Sequence, residues 1–180
     1  MSLVCATSAC SIKAAGSVAQ PTALELQLLG AYRELDDDIV RVSSFRAGST
    51  VADREQLAQK AMDARAMQRF NEDDLFELKQ AGCLAEGLDA RVMTHPCSLS
   101  ATDPAVERRR RRVIDQENRA RRALLEWATA ALAYRSGRSS ASAELSREVR
   151  SAYVRLLRQA ARPGELFETS PGRFDPWRGE

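Results

Sequence analysis

The sequence lacks the residue combinations on which most enzyme sites depend. It has one histidine, His95, among its 180 residues, and no glycine-rich stretch of the kind that holds phosphates. A Ser-His-Asp or Cys-His pair would need His95, but a single histidine next to a proline is typical of a loop residue exposed to solvent. The sequence therefore predicts a protein that is not an enzyme and needs no cofactor.

Long hydrophobic runs and aromatic residues are also scarce. No run approaches the ~20 apolar residues that a membrane-spanning helix requires, and aromatic residues make up 6% of the chain. Hydrophobic residues nevertheless amount to 44% and charged residues to 29%, as in ordinary globular proteins. The composition predicts one domain with a core of Leu, Ala, Val and Ile.

Apolar residues recur at three- and four-residue spacings along much of the chain, which is the period of one helical face. The first helix begins with a capping box, in which the backbone N–H groups of Thr22 and Glu25 each bond the other residue's side chain. This helix is predicted to be long enough to form the spine of the domain. Asp103 followed by Pro104 marks the start of another long helix, as an N-cap and a first-turn proline.

A short helix is predicted between these two, with Asn71 as its N-cap and Gly82 at its end. Its first turn is acidic and its last turn carries a lysine, which suits the helix dipole. The segment that follows, Cys83 to Leu99, is predicted to be irregular, with one extended piece at residues 91–93.

The tail of the chain is its most informative part. The last helix ends at Pro163-Gly164, and Ser170-Pro171-Gly172 joins two short apolar pieces as a β-hairpin. Because a two-stranded hairpin is too small to be stable alone, it must dock on the helices or add its edge to another chain. Its apolar side chains, Leu166, Phe167 and Phe174, are predicted to form a partner-binding surface. The predicted fold is mainly α, with about five helices in one irregular bundle and a small C-terminal β-hairpin.

This ending, a helix followed by Ala161-Arg162-Pro163-Gly164 and an aromatic hairpin, resembles the YdbL-like family of small bacterial envelope proteins. The resemblance covers roughly Thr22 to Phe174 and is strongest from Glu117-Asn118-Arg119 onward. It implies a periplasmic or lipid-anchored accessory protein with a chaperone-like role linked to lipid transport in the envelope. It implies no catalytic residue, and its expected partner is an envelope protein or a lipid.

The N-terminal segment carries small residues ahead of a cysteine, Thr7-Ser8-Ala9-Cys10, as in the lipid-attachment site of bacterial lipoproteins. Residues 1–20 are then a signal remnant and a flexible tether, and residues 21–180 form the helical domain. Lipid on Cys10 with no Asp after it predicts delivery to the outer membrane. The alternative is an ordinary disordered tail with an incidental cysteine.

The remaining cysteines indicate the compartment. Cys83 and Cys97 are predicted to form a disulfide, which the periplasm permits; the alternative is two separately buried thiols in a cytosolic protein. A metal site built from these two and His95 would need a fourth ligand and a different spacing, so no metal is predicted.

Two charged segments have a functional alternative. The run Arg108 to Arg112 could bind nucleic acid or an anionic surface. Five successive arginines, however, spread around a whole helix at ~100° per residue, and no aromatics interleave with them to stack on bases. They are interpreted as a solvated helix with ion pairs to Glu107, Asp115 and Glu117, and no nucleic acid is expected. Glu34 and Asp36 to Asp38 are likewise interpreted as a solvated face.

Overall fold

The computed structural model of the chain describes residues 21–41, 52–98, 103–136 and 142–179. Five helices and four strands occur in these residues. The helices are α1 (Ala23–Arg41), α2 (Ala52–Phe70), α3 (Glu72–Gln80), α4 (Pro104–Arg135) and α5 (Ala143–Ala160). The strands are β1 (Leu84–Glu86), β2 (Val92–Thr94), β3 (Leu166–Ser170) and β4 (Arg173–Pro176). The mainly α fold with a small β part is confirmed.

The predicted helix starts are present as hydrogen bonds. The Thr22 N–H donates to Glu25 Oε2 at 2.7 Å, and the Glu25 N–H donates to Thr22 Oγ1 at 3.3 Å. Asp103 Oδ1 accepts from the Ala105 N–H at 2.7 Å, with Pro104 as the first residue of α4. Both caps satisfy backbone donors that a helix start leaves unpaired.

Asn71 does not cap α3 in the predicted way. Its backbone is helical, with φ −91° and ψ 0°, and its side chain makes no capping hydrogen bond. The Asn71 N–H donates to the Met67 carbonyl at 3.0 Å, and the Leu75 N–H donates to the Asn71 carbonyl at 2.8 Å. The backbone bonds of α2 thus continue into α3, so no side-chain cap is needed. The predicted end at Gly82 is confirmed, because Gly82 takes the positive φ of +66° that glycine favours.

The spine of the domain is α4, and the prediction that the first helix has this role is wrong. α4 has 32 residues and contributes to all three clusters of the core. With α1 and α5 it encloses Leu28, Leu132 and Val149, and with α2 it forms a contact of small residues, Ala61, Ala64 and Ala120. Its N-terminal half packs through Val113 on Leu78 and on the sheet. A helix in the middle of the chain reaches every layer, since elements from both sides can pack on it.

The strands form one sheet in the order β2-β1-β3-β4. β1 is antiparallel to β2 and parallel to β3, and β3 is antiparallel to β4. The C-terminal hairpin is therefore confirmed. The segment predicted to be irregular supplies two further strands, of which β2 overlaps the extended piece predicted at residues 91–93 and β1 was not predicted. Each of these has only three residues, too few to show a period of two in the sequence. Among the described helices, none combines the length and the apolar character needed to cross a membrane.

Candidate functional site

The C-terminal hairpin docks on the body of the protein through a strand pairing. β3 adds to β1 in parallel, with Ala85 opposite Leu166 and Glu86 opposite Phe167. The Phe167 side chain is 3% exposed, and its ring centre lies 5.9 Å from that of Trp177. Of the two alternatives for the hairpin, docking is the one observed, on a strand rather than on helices.

The role predicted for Phe167 in partner binding is therefore corrected. A ring so nearly buried is part of the core and cannot offer its surface to a partner in this fold. Leu166 and Phe174 are half-buried, and the Phe174 ring centre lies 5.6 Å from that of His95. The hairpin thus presents less apolar surface than its sequence indicates.

Cys83 and Cys97 form a disulfide, as predicted, with their Cα atoms 4.9 Å apart. Cys83 is fully buried and packs with Leu84 and Val92 in one cluster of the core. The bridge thus joins the end of α3 to the segment after β2. Cys10, the predicted lipid-attachment residue, lies outside the described residues, as does the whole of the predicted tether.

His95 is held in the structure more firmly than a solvent-exposed loop residue. Its Nδ1 donates to the Gly82 carbonyl oxygen at 2.9 Å, and its own carbonyl accepts from Arg110 Nη1 at 3.1 Å. The side chain is half-buried. In the described part of the chain, no group of three His, Cys, Asp or Glu side chains is placed to hold a metal ion.

The arginine run at the start of α4 is largely paired with carboxylates. Arg109 bonds Asp74 and lies 2.7 Å from Glu77, both on α3. Arg110 and Arg111 both pair with Glu107, each at 2.6 Å. These pairs support the interpretation of a solvated, ion-paired helix. Glu117, predicted as a further partner of this run, instead pairs with Arg121. The side chains of Glu34 and of Asp36 to Asp38 lie outside the described residues.

A buried ionic centre lies where α4 crosses the sheet. Arg121 is 2% exposed and Glu86 is 1% exposed. The Arg121 guanidinium donates to both Glu86 oxygens, at 2.5 and 2.9 Å, and to Glu117 Oε1 at 2.6 Å. Lys79 Nζ adds a second cation 2.6 Å from Glu86 Oε1. The Arg121 cation also lies 5.7 Å from the ring centre of Tyr153.

The charges of this centre hold one another ionised. Burial by itself would raise the pKa of the Glu86 carboxyl, but Arg121 and Lys79 beside it lower that pKa to about 2. Burial would likewise lower the pKa of Arg121, but the carboxylate of Glu86 raises it above its ordinary value. Glu86 and Arg121 thus form a buried structural ion pair in which both groups stay charged near neutral pH.

Next to this centre, α4 fixes the turn between β1 and β2. The Asn118 side-chain amide donates to the Val92 carbonyl at 2.9 Å and accepts from the Val92 N–H at 2.8 Å. It therefore pairs with the free edge of β2 as a neighbouring strand would. Arg121 Nη1 also donates to the Ala90 carbonyl at 3.1 Å, where Ala90 holds a positive φ of +67°. Two buried side chains of α4 thus fix the end of the turn that leads into β2.

A cleft of about 310 Å³ opens beside this turn, between α4 and α5. Arg121 and Asn118, both buried, form part of its wall. Three exposed arginines line it as well, Arg91 from the turn, Arg122 from α4 and Arg150 from α5. An adjoining cavity of about 390 Å³ shares Arg91, Asn118 and Arg122 with it and adds Arg119. Asp89, Asp115 and Glu126 are the carboxylates in the two linings.

Four exposed arginines line the two cavities. Within the described ranges, no carboxylate lies within ion-pair distance of Arg91, Arg119, Arg122 or Arg150. This group is not evident in the sequence, because its members come from three separate elements. Arg119 and Arg122 were recognised as basic residues of the helix, but the turn that brings Arg91 beside them depends on the pairing of β2 with β1, a strand that was not predicted.

Comparisons with models of protein families, with curated proteins and with solved structures found no match to this chain. The YdbL-like resemblance therefore stays a prediction.

Proposed function

We propose that this chain is a non-enzymatic accessory protein of the bacterial cell envelope, exported and held at the outer membrane by lipid on Cys10. The observation that carries the proposal is the disulfide between Cys83 and Cys97. Disulfides persist in oxidising compartments such as the periplasm and are rare in the cytosol. A bridge built into the core, next to Leu84 and Val92, supports a chain that folds where thiols are oxidised.

The proposed activity is binding of an envelope protein or a lipid, in the chaperone-like manner that the YdbL-like resemblance implies. The cleft between α4 and α5 supports a binding role, because its volume of about 310 Å³ falls within the range of small-ligand sites. His95 supports the non-enzymatic part of the proposal, since its ring bonds the Gly82 carbonyl and its own carbonyl bonds Arg110.

The location is tested by fractionating cells that express the full chain in its native context. Cys10→Ser should move the protein from the membrane fraction to the soluble fraction, whereas Cys5→Ser, which alters the other cysteine near the N-terminus, should not. If the Cys10→Ser protein and the wild type partition equally, and the wild type takes up no acyl label, the lipid anchor is refuted.

The compartment is tested separately through the thiols. The full chain is alkylated without reductant as the same cells are opened, and it is then examined by mass spectrometry. We expect neither Cys83 nor Cys97 to be modified, and both to react after reduction. Free thiols at both positions would contradict an oxidised core and would remove the support for export.

The second candidate function is binding to an anionic surface through Arg108 to Arg112. Arg109, Arg110 and Arg111 are already paired with carboxylates, so few charges of this run are available to a ligand. The observation that favours an anionic ligand is instead the group of unpaired arginines at the cleft.

A further inference from the structure

Some arginines on the described helices have a carboxylate partner, whereas the exposed arginines that line the cleft do not. Arg109, Arg121 and Arg155 each contact at least one acid. Arg91, Arg122 and Arg150 instead line one cleft from three directions, without an acid at ion-pair distance in the described residues. Bringing like charges together costs free energy unless an anion joins them. We propose that the cleft binds a phosphate group, with Arg91, Arg122 and Arg150 as its ligands and Arg119 beside them.

The chemistry of the side chains matches a phosphate better than a single carboxylate. Guanidinium groups are planar, stay charged at any physiological pH, and donate two parallel hydrogen bonds to phosphate oxygens. A phosphate can accept such pairs from several directions at once. The arginines approach from a turn and from two helices, which is the arrangement that such an anion needs.

The backbone around Arg91 is preorganised for binding. Asn118 holds the backbone of β2 next to Arg91, through two hydrogen bonds to Val92. On the N-terminal side of Arg91, Arg121 donates a hydrogen bond to the Ala90 carbonyl. Since the backbone on both sides of Arg91 is fixed, binding costs less ordering of the chain there. The arginines of α4 and α5 stand on helices that pack together in the core.

The volume of the cleft limits the size of the ligand, and its carboxylates indicate which groups stand next to the phosphate. About 310 Å³ accommodates a phosphate with a small alcohol attached, but not a nucleic-acid strand. Asp89 and Glu126 in the same lining can accept hydrogen bonds from hydroxyl or ammonium groups next to the phosphate. The chemistry is therefore that of a phosphoester with a small polar substituent, supplied either by a lipid headgroup or by a free phosphoester.

This inference deepens the proposed binding role and depends on it, since it names the group that is bound. The test uses the full chain with Cys10→Ser, so that attached lipid does not contribute. Calorimetry measures binding of glycerol 3-phosphate, with inorganic phosphate as competitor. Sedimentation measures binding to vesicles of phosphatidylglycerol with phosphatidylcholine, and to vesicles of phosphatidylcholine alone.

The decisive comparison is between two charge-matched double variants. Arg122→Gln with Arg150→Gln removes one arginine of the cleft from α4 and one from α5. Arg108→Gln with Arg147→Gln removes the same charge from the same helices, at exposed positions outside the cleft linings. We expect the first pair to weaken binding by at least about tenfold and the second to change it by less than about twofold.

The arms of the experiment separate the two sources of phosphate. Saturable binding of glycerol 3-phosphate that competes with phosphate and is lost in the cleft variant supports a free phosphoester. Binding only to phosphatidylglycerol vesicles, with the same loss, supports a lipid headgroup. Equal losses in both double variants, or no binding to any probe, would overturn the proposal. A fractionation failure of Cys10→Ser would refute the anchor alone, because these measurements use purified protein.

Discussion

Replacing Arg121 with methionine should destabilise the protein by about 3–5 kcal/mol, the usual result of removing one partner from a buried ion pair. Methionine retains much of the volume of the arginine stem but leaves Glu86 with Lys79 as its one remaining cation. Glu117 would keep the Gln68 amide, which donates to it at 2.9 Å. Two carboxylates, each less than 3% exposed, would then be buried without their shared cation.

The lowered pKa of Glu86 indicates a similar contribution of its ion pairs to the free energy of unfolding. Its reduction from 4.5 to about 2 corresponds to about 3 kcal/mol at neutral pH. Because the folded pKa is the lower one, this stabilisation is present above pH 4.5 and is lost as the pH falls towards 2. Arg121 lowers the pKa of Glu86 more than Lys79 does.

The assay is urea unfolding, monitored by circular dichroism and repeated at several pH values between 7 and 3. Without Arg121 the pKa of Glu86 rises, so the variant loses less stability on acidification than the wild type does. The difference between the two proteins should therefore be largest at pH 7 and should shrink below about pH 4.5. Arg119→Met, two residues away and exposed, is the control and should change stability by less than about 0.5 kcal/mol. A cost below about 1 kcal/mol for Arg121→Met, or a difference independent of pH, would refute the reasoning.

Two further predictions concern the turn and the hairpin. Asn118→Asp should cost about 1–3 kcal/mol at pH 7, because a carboxylate cannot donate to the β2 carbonyl; urea unfolding should show partial recovery in acid, where the carboxyl regains a proton. Phe167→Ala should lower stability by about 3–5 kcal/mol, and Phe174→Ala by less, since Phe174 is half-buried. Equal melting temperatures for the two alanine variants would contradict the assignment of Phe167 to the core.

The features that sequence reasoning identified correctly are the local ones. The capping box of Thr22 and Glu25, the Asp103-Pro104 start and the glycine at position 82 each depend on residues within one turn of chain. The disulfide is different, because it was predicted from the number and spacing of cysteines rather than from local backbone. It joins two residues only 14 positions apart, so the pairing does not require knowledge of the whole fold.

The ionic centre was missed because charged residues on a helix normally mark its solvated face. Glu117 and Arg121 are spaced at i and i+4 among the apolar residues Val113, Ala120 and Leu124, all of which are buried. That position on the apolar face was a signal that the two charges enter the core as a pair. Their third partner, Glu86, could not be inferred, since it stands on a three-residue strand 35 positions away from Arg121.

The place of β1 in the middle of the sheet has a consequence for how the protein folds. One edge of β1 pairs with β2 across a short turn, but the other pairs with β3, about eighty residues further along the chain. Contacts between distant parts of a chain form more slowly than local ones, so Ala85 and Glu86 have an open backbone edge until the C-terminal hairpin docks. During this time a strand from another molecule could add to that edge. The rate at which the hairpin docks, and not only the final stability, therefore sets how much of the chain aggregates.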